Sequence, residues 1–252
     1  MNNAAKTLGD LKTFFEQQRE LFGEETIVET RDQTPLNSVH EPVTESVLSI
    51  KESETPYVVK QSLPTLEELS KTVSACVKCG LSKTRTQTVF GSGNPKAELM
   101  FIGEAPGADE DAQGLPFVGR AGQLLTKMIE EERSLGMPRS QVYIANILKC
   151  RPPENRKPNP GEIEQCEPYL IKQIELIKPK LICALGATAA NTLLRNNLPM
   201  GAMRGNLYDY HGTPLLVTYH PAALLRNPNW KQPAWEDMLK LKELLEKFKQ
   251  RT

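Results

Sequence analysis

Short apolar runs alternate with amphipathic segments over residues 63–252. Four runs have the length and composition of buried strands: 98–103, 142–148, 180–185 and 215–218. Four segments repeat apolar residues at helical spacing: 122–135, 162–177, 187–194 and 233–249. Strands that alternate with helices indicate a mostly parallel sheet with helices on both faces. We therefore predict an α/β fold, a three-layer α/β/α sandwich around a central, mostly parallel four-stranded sheet.

The first part of the chain has a different pattern. Apolar residues in 8–22 fall at loosely helical spacing, whereas 24–62 is rich in Glu, Thr, Ser, Pro and Val and has no sustained period. We predict a largely disordered N-terminal extension over residues 1–62 and one globular domain over residues 63–252. Thr65 followed by Glu68 has the pattern of a capping box, which predicts a helix start.

Composition and charge narrow the class of protein. The chain has 252 residues, of which 39% are hydrophobic and 25% charged, as is typical of globular proteins. No apolar run approaches the roughly 20 residues of a membrane span, and no signal peptide is recognisable. We expect a cytoplasmic protein with no membrane partner. Residues 1–65 hold six basic and eleven acidic residues and the remainder holds 25 and 20, so the domain suits a polyanionic partner.

Four of the five cysteines suggest a metal centre. Cys76 and Cys79 form a CxxC pair. Cys150 follows the second predicted strand, and Cys166 lies on the helix after it. Disulfides are not expected in a cytosolic chain, so ligation of zinc or of an iron–sulfur cluster stays open. Cys183 lies inside an apolar strand and is expected to be a buried small residue.

Gly- and Pro-rich segments follow the ends of three predicted strands. They are residues 103–107, 150–155 and 220–228. Ligands bind at the carboxyl ends of the strands in parallel α/β sheets. The sequence therefore predicts a binding site where these three segments converge.

Three motifs in these segments resemble those of family 4 uracil-DNA glycosylases. They are GEAPGADED and GLPFVGRAG at 103–111 and 114–122, NILKCRPPEN at 146–155, and TYHPAALLRNP at 218–228. The resemblance covers about residues 66–249. It implies a hydrolase that cleaves the N-glycosidic bond of uracil in DNA and leaves an abasic site, as in base excision repair. It also implies that Cys76, Cys79, Cys150 and Cys166 ligate a [4Fe–4S] cluster.

The resemblance also implies roles for residues within the motifs. A base inside the duplex must be flipped into a pocket before its bond can be hydrolysed. Phe117 would stack on uracil, Asn146 would pair with its N3–H and O4, and His220 would donate to O2 as negative charge develops. Gly103 and Ala105 would line the same pocket. Taken alone, the local sequence favours a core phenylalanine at 117 and leaves open a structural amide at 146 and a surface or capping histidine at 220.

The group that positions the attacking water is less obvious. Better-known uracil glycosylases outside this family have an Asp where this chain has Ala105. Glu104 could position the water or order the loop, and Asn155 matches a family position in the active site. Because the transition state is already cation-like, a weak nucleophile can suffice. The acidic residues at 109–111 are expected to be solvated charges of a loop or helix start.

Basic and apolar residues beside the motifs are candidates for DNA contact. Phosphate contacts by Arg and Lys are independent of base sequence. Leu224 or Leu225 would wedge into the gap left by the flipped base, and either fits a core position equally well. The basic candidates, each of which could instead be an ordinary solvated charge, are Arg120, Lys149, Arg151 and Arg226.

The expected partner is uracil-containing DNA, either single- or double-stranded. We expect a monomer, with residues 1–62 as either a tail element or a binding segment for a repair or replication partner. The main alternative is a catalytically inactive iron–sulfur nucleic-acid-binding protein of the same fold. The presence of Phe117, Asn146 and His220 favours the enzyme. No basic, His-containing insertion follows the middle strand, so the related type that is trapped covalently on uracil DNA is not expected.

Overall fold

The structure, a computed structural model, describes residues 64–249. Six strands lie in this part of the chain: β1 (Ser92–Gly93), β2 (Leu99–Gly103), β3 (Tyr143–Asn146), β4 (Leu181–Leu185), β5 (Leu207–Tyr210) and β6 (Thr213–Thr218). The helices are α1 (Leu66–Ser74), α2 (Ala108–Gln113), α3 (Arg120–Glu130), α4 (Pro160–Ile177), α5 (Ala187–Leu194), α6 (Met200–Met203), α7 (Pro221–Arg226) and α8 (Lys231–Lys249). Short 3₁₀ turns occupy Gly80–Lys83, Arg139–Gln141, Pro153–Asn155 and Pro228–Trp230.

All six strands belong to one sheet, in the order β1-β3-β2-β4-β6-β5. The four predicted strands form its centre, where β3, β2, β4 and β6 pair in parallel. The short strands β1 and β5 add antiparallel edges, so the predicted size of four strands was wrong. Neither edge strand contains a buried apolar run, because β1 has only two residues and β5 is mostly exposed.

The two faces of the sheet contribute to different cores, because successive strand side chains point to opposite faces. On β2, Met100 and Ile102 share a cluster with residues of α1, α4 and α5. Leu99 and Phe101 share the other cluster with residues of α3 and α8. Helices therefore cover both faces, and the predicted α/β/α arrangement is confirmed.

The predicted helix bounds lie within two residues of the observed ones, except at the end of α3. The capping box is present, since Glu68 N–H donates to Thr65 Oγ1 at 3.2 Å and Thr65 N–H donates to Glu68 Oε2 at 2.8 Å. Helix α3, in contrast, ends at Glu130, five residues before the predicted end at 135. Three successive acidic residues at 130–132 explain the early end, because negative charge is unfavourable near a helix C-terminus.

The predicted N-terminal extension over residues 1–62 lies outside the described residues, as does the amphipathic segment at 8–22. The domain boundary at 62–63 therefore stays a prediction. Of the helices that the structure describes, none has both the length and the apolar character needed to cross a membrane.

The motif segments leave the sheet on the same side, at the carboxyl ends of the central strands, because these strands are parallel. Backbone hydrogen bonds join the segments after β2 and β3, from Ile147 N–H to Gly103 O (2.9 Å) and from Leu148 N–H to Glu104 O (3.1 Å). The ends of β4 and β6 are joined in the same way, from Gly186 N–H to Thr218 O at 2.8 Å. The fold thus brings the predicted site segments together at the carboxyl ends of the central strands.

Candidate active site

Gly103, Asn146 and Phe117 meet at the carboxyl end of β2. Gly103 and Asn146 are register partners on the neighbouring strands β2 and β3. A methyl group on Gly103 would lie 2.6 Å from Cζ of Phe117 and closer still to Oδ1 of Asn146. The lack of a side chain at Gly103 therefore lets the amide and the aromatic ring approach each other.

The side-chain oxygen of Asn146 is buried without a hydrogen-bond donor. The residue is 1% exposed, and its Oδ1 has no hydrogen-bond partner among residues 64–249. A buried acceptor without a donor costs about 1–3 kcal/mol, so such atoms are uncommon and require an explanation. An amide oxygen of this kind, held between a glycine and an aromatic ring, is suited to accept a hydrogen bond from a ligand.

The turn that carries Phe117 is held by Glu110. Phe117 has a φ of 55°, in the left-handed region that is unusual for a residue other than glycine. One carboxylate oxygen of Glu110 accepts from the N–H groups of Val118 and Gly119, both at 2.9 Å, and the other accepts from Gly107 at 3.1 Å. Glu110 lies in the first turn of α2, so the expectation of a charge at a helix start is confirmed, whereas the expectation of a solvated charge was wrong. Its donors from Val118 and Gly119 converge only after the turn folds back on the start of α2.

The two acidic residues beside Glu110 differ in whether they are buried or exposed. Asp111 is buried, and both of its carboxylate oxygens accept from the N–H of Thr86 at 3.0 Å. Asp109 is exposed, as expected. Two of the three acidic residues at 109–111 therefore have structural partners that the sequence alone did not indicate.

The His220 ring faces the ring of Phe117, with centroids 5.4 Å apart and an interplanar angle of 34°. Its Nδ1 accepts the N–H of Ala222 at 3.1 Å, which places the proton of a neutral imidazole on Nε2. Burial, assisted by the positive charge of Arg226, lowers the pKa of His220 to about 4. The ring is therefore neutral at neutral pH, with its single N–H donor on the side away from Ala222.

A buried carboxylate supports the strand that leads to His220. Asp237, which is 2% exposed, accepts from Thr218 Oγ1 at 2.7 Å and from Arg204 Nε at 3.1 Å. No pattern in the sequence indicates this contact, because Thr218 and Arg204 lie 19 and 33 residues before Asp237. Its effect is to fix the end of β6, two residues before the imidazole.

Four cysteines line one cavity where α1, α4 and the segment after β3 meet: Cys76, Cys79, Cys150 and Cys166. Two N–H groups donate to their sulfurs, from Arg85 Nη1 to Cys150 at 3.1 Å and from the Lys149 backbone to Cys166 at 3.2 Å. Burial raises the pKa of the Cys166 thiol to about 11. Cys183 is fully buried in the core on the other face of the sheet, as predicted.

Comparison with known proteins places this arrangement in a family. A family profile described as the uracil DNA glycosylase superfamily matches residues 90–239. The chain belongs to the uracil DNA glycosylase superfamily. The type-4 uracil-DNA glycosylase of Sulfurisphaera tokodaii is 46% identical over 190 residues, covering 72% of this chain and 86% of that protein.

Two further relatives agree with this membership. The type-4 uracil-DNA glycosylases of Archaeoglobus fulgidus and Thermotoga maritima are each 42% identical to this chain. Their alignments cover 72% of this chain and 94% and 95% of the relatives. The resemblance to family 4 of the superfamily is therefore confirmed.

The remaining motif residues of this superfamily member lie on the segments after β2 and β3. Glu104 and Ala105, both half-buried, directly follow Gly103. Asn155 has a left-handed φ of 55°, and its Oδ1 accepts from Arg151 Nε at 2.8 Å. Arg151 is thus partly occupied in holding Asn155.

The structure contradicts the prediction that Lys149 contacts DNA. Its side chain is buried (1% exposed), with Nζ 2.8 Å from the backbone oxygen of Asn146 and 2.6 Å from Oε1 of Gln173. A head group enclosed in this way has no access to a phosphate. In the sequence Lys149 belongs to a basic loop. In the structure the chain stays buried for four residues after β3 ends, so the lysine lies inside the protein.

The two leucines of α7 differ in their surroundings. Leu224 is 1% exposed and belongs to the core cluster that includes α3 and α8, so the predicted wedge role is wrong for it. Leu225 is 39% exposed and stays a candidate. Arg120 and Arg226 are also exposed, as a phosphate contact requires.

Proposed function

We propose that this chain is a monofunctional uracil-DNA glycosylase, which flips uracil out of DNA and hydrolyses its N-glycosidic bond to leave an abasic site. The observation that carries the proposal is the unpaired, buried Oδ1 of Asn146 beside Phe117. Uracil presents a donor at N3 for this oxygen, whereas cytosine presents an acceptor there and would leave it unpaired. The names of the curated relatives support the same activity in base excision repair, and nothing in them favours an inactive binding protein.

The pocket binds and orients the extruded base. Phe117 supplies the ring on which uracil stacks, and the amide of Asn146 pairs with N3–H and O4. Gly103 and Ala105 are assigned to the same recess, where the absence of a side chain at Gly103 lets Asn146 Oδ1 and the Phe117 ring lie close together. A flipped base held by these contacts is placed for attack on its sugar carbon.

His220 stabilises the leaving uracil. As the N1–C1′ bond breaks, the electron pair moves to the base and negative charge develops at O2. The Nε2–H of the neutral ring donates to this oxygen, since Nδ1 is already held by the Ala222 N–H. A preorganised donor of this kind is worth about 2.7–4 kcal/mol in the transition state.

We assign Glu104, which is half-buried, and Asn155, which is exposed, to the sugar side of the proposed site. We assign them to the positioning of the attacking water, and the Glu104 carboxylate also offsets positive charge on the sugar. Ala105 replaces the Asp found in better-known uracil glycosylases, so no conventional base is assigned. A cation-like transition state reacts with water that is held but not fully deprotonated.

The four-cysteine cavity fits a [4Fe–4S] cluster better than zinc. A zinc ribbon uses two closely spaced cysteine pairs, whereas this chain has a single CxxC pair and two separated cysteines. A cluster binds each thiolate through a different iron and spaces the sulfurs more widely, and N–H donors to sulfur are typical of its surroundings.

When bound, the cluster supplies iron–thiolate bonds that tie three separate segments together. Cys76 and Cys79 lie after α1, Cys150 follows Asn146 by four residues, and Cys166 lies on α4. The proposed role is structural, because it holds the segment that carries the base-reading amide.

The proposed DNA surface surrounds the pocket. Arg120, Arg151 and Arg226 are assigned to phosphates, and Leu225 to the gap left by the extruded base. We further propose that the protein acts as a monomer in the cytoplasm.

The proposal is tested by the products formed from defined DNA. Purified full-length chain is incubated with single-stranded DNA containing uracil, with a U:G duplex and with a matched C:G duplex. Free uracil and alkali-labile abasic sites are expected from the first two, without strand cleavage before alkali. His220→Ala is expected to lower the rate about 100- to 1,000-fold. Absence of uracil release by chain that carries its metal centre would overturn the proposal.

A further inference from the structure

A buried lysine beside the pocket has no part in the chemistry proposed above. Lys149 Nζ donates to the backbone oxygen of Asn146 at 2.8 Å and to Oε1 of Gln173 at 2.6 Å. Gln173 is itself buried, and its Nε2 donates to Phe90 O at 2.9 Å and to the Tyr143 hydroxyl at 3.3 Å. The head group is thus the centre of a buried polar network that ends at the main chain of Asn146.

The burial of this head group requires a reason. Removing a lysine head group from water is costly unless its donors find acceptors, and a residue needed only for packing would be apolar. Both acceptors that receive Nζ are uncharged oxygens. One of them is the carbonyl of the residue whose side-chain oxygen is unpaired in the pocket.

Lys149 also contacts the cysteine cavity through its main chain. Its backbone N–H donates to Cys166 Sγ at 3.2 Å, and the next residue is Cys150. The two ends of one residue therefore reach the base-reading strand and the cysteine set. A shift of the segment after β3 would move both together.

We propose that Lys149 is a positioning residue for Asn146: its side chain holds the carboxyl end of β3 so that the amide meets uracil, and its backbone couples that position to the cysteine cavity. The inference rests on the proposed function of the site. In this role Lys149 makes contacts inside the protein and none with a DNA phosphate. Its replacement is therefore expected to slow the reaction step and to leave DNA affinity unchanged.

The first test compares two variants with a matched control. Lys149→Met keeps the length of the stem and removes the donors, Gln173→Met removes the second acceptor, and Lys172→Met changes an exposed lysine on the same helix as Gln173. Lys149→Met is expected to lower the single-turnover rate at saturating DNA about 10- to 100-fold, as a displaced reactive group does. Gln173→Met should lower it less, and Lys172→Met should stay within about twofold.

DNA binding separates this role from a phosphate contact. The affinity of Lys149→Met for uracil DNA and its dependence on salt are expected to match wild type. A phosphate contact would instead lower the slope of log affinity against log salt by about one. That decrease would overturn the proposal, as would a wild-type reaction rate in Lys149→Met.

A double-mutant cycle tests whether Lys149 acts through Asn146. In chain that already carries Asn146→Ala, adding Lys149→Met is expected to change the residual rate by less than about threefold, because there is no amide left to position. If instead the fold-decreases in rate of the two single variants multiply in the double variant, Lys149 acts independently of Asn146. This result would contradict the inference.

Folding and metal content are measured on every variant. Absorption at roughly 400 nm per chain reports the cluster, and the thermal midpoint reports the fold. If Lys149→Met fails to fold or loses its absorption, the cycle of Gln173→Met with Asn146→Ala decides, since Gln173 is not among the residues that line the cysteine cavity. Wild-type rates in Gln173→Met would then overturn the inference. Failure of wild-type chain to release uracil would overturn the proposed function instead.

Discussion

The protonation state of one imidazole is set by its immediate neighbours. The Ala222 N–H occupies Nδ1 of His220, and burial lowers the pKa of the ring to about 4. The protein thereby keeps a neutral ring with one N–H donor next to Phe117. A neutral donor stabilises a developing anion without the cost of burying a charge before the reaction.

The rate of uracil release is expected to stay level between about pH 5.5 and pH 8, with no inflection near 6.5, the usual pKa of histidine. The lowered pKa means that the folded protein takes up this proton only near pH 4, whereas unfolded chain takes it up near 6.5. The stability contributed by the neutral ring is therefore present above pH 6.5 and is lost as the pH falls towards 4. Single-turnover rates across this range are the measurement, and an inflection near 6.5 that disappears in His220→Ala would contradict the assignment.

Gly103 provides a second test at the scale of one residue. Gly103→Ala places a methyl group against Asn146 Oδ1 and Phe117 Cζ, so we expect a loss of at least about 100-fold in uracil release. Gly161→Ala is the matched control, because a methyl group there meets no atom within 4 Å. Rates of both variants are compared under single turnover. Near-normal activity of Gly103→Ala would mean that the close approach of Asn146 and Phe117 at Gly103 is not needed for uracil release.

At the scale of elements, the pocket depends on turns between the strands and helices of the sandwich. The turn that carries Phe117 is closed by the Glu110 carboxylate, which accepts three backbone N–H groups. Each such bond to a charged group is worth about 1.5–3 kcal/mol, so this side chain contributes strongly to the position of the aromatic ring. Arg139 Nη2, which donates to Pro116 O at 2.7 Å, holds the same turn from the other side.

Glu110→Gln is expected to loosen this turn, because its NH₂ would oppose one of the backbone donors. We expect a fall of about 1–3 kcal/mol in the free energy of unfolding and about a tenfold lower rate of uracil release. Glu246→Gln, at an exposed position on α8, serves as the control. Denaturant unfolding and single-turnover rates check the expectation. A Glu110→Gln variant as stable and active as the control would show that the turn is held by other contacts.

The elements differ in how far the sequence predicts them. The central strands are predictable because both faces are covered and each is a continuous apolar run. The edge strands β1 and β5 are too short or too exposed to carry that signal. Helix α5 has the predicted bounds, whereas α3 stops early at a run of acidic residues that the apolar period did not reveal.

The residues of the candidate site are also predictable from the sequence only in part. The motifs led to Gly103, Phe117, Asn146 and His220, which the fold brings together. Glu110 and Lys149 could not be assigned from the sequence, because their partners are backbone groups that converge only in the folded chain. The longer-range partners of these two residues, Val118 for Glu110 and Gln173 for Lys149, leave no pattern in the amino-acid order. The short-range capping box of Thr65 and Glu68 does leave one.

At the scale of the whole molecule, the carboxyl ends of the central strands carry both the proposed uracil pocket and the segment that leads to the cysteine cavity. We expect iron and acid-labile sulfide at about four each per chain, with no stoichiometric zinc. Removing the iron with a chelator is expected to abolish absorption at roughly 400 nm and to lower the thermal midpoint, since the bonds between α1, α4 and the segment after β3 are lost. Elemental analysis and thermal unfolding test this, and one zinc per chain would contradict the cluster assignment.

The central claim is that Asn146, Phe117 and His220 gather around one extruded uracil. A crystal structure of the chain bound to DNA with an abasic site and free uracil tests it most directly. We predict uracil stacked on Phe117, with N3 about 2.9 Å from Asn146 Oδ1 and O2 at hydrogen-bond distance from His220 Nε2. Uracil bound away from these three side chains, or an Asn146 oxygen that still has no donor when the pocket is filled, would contradict the account.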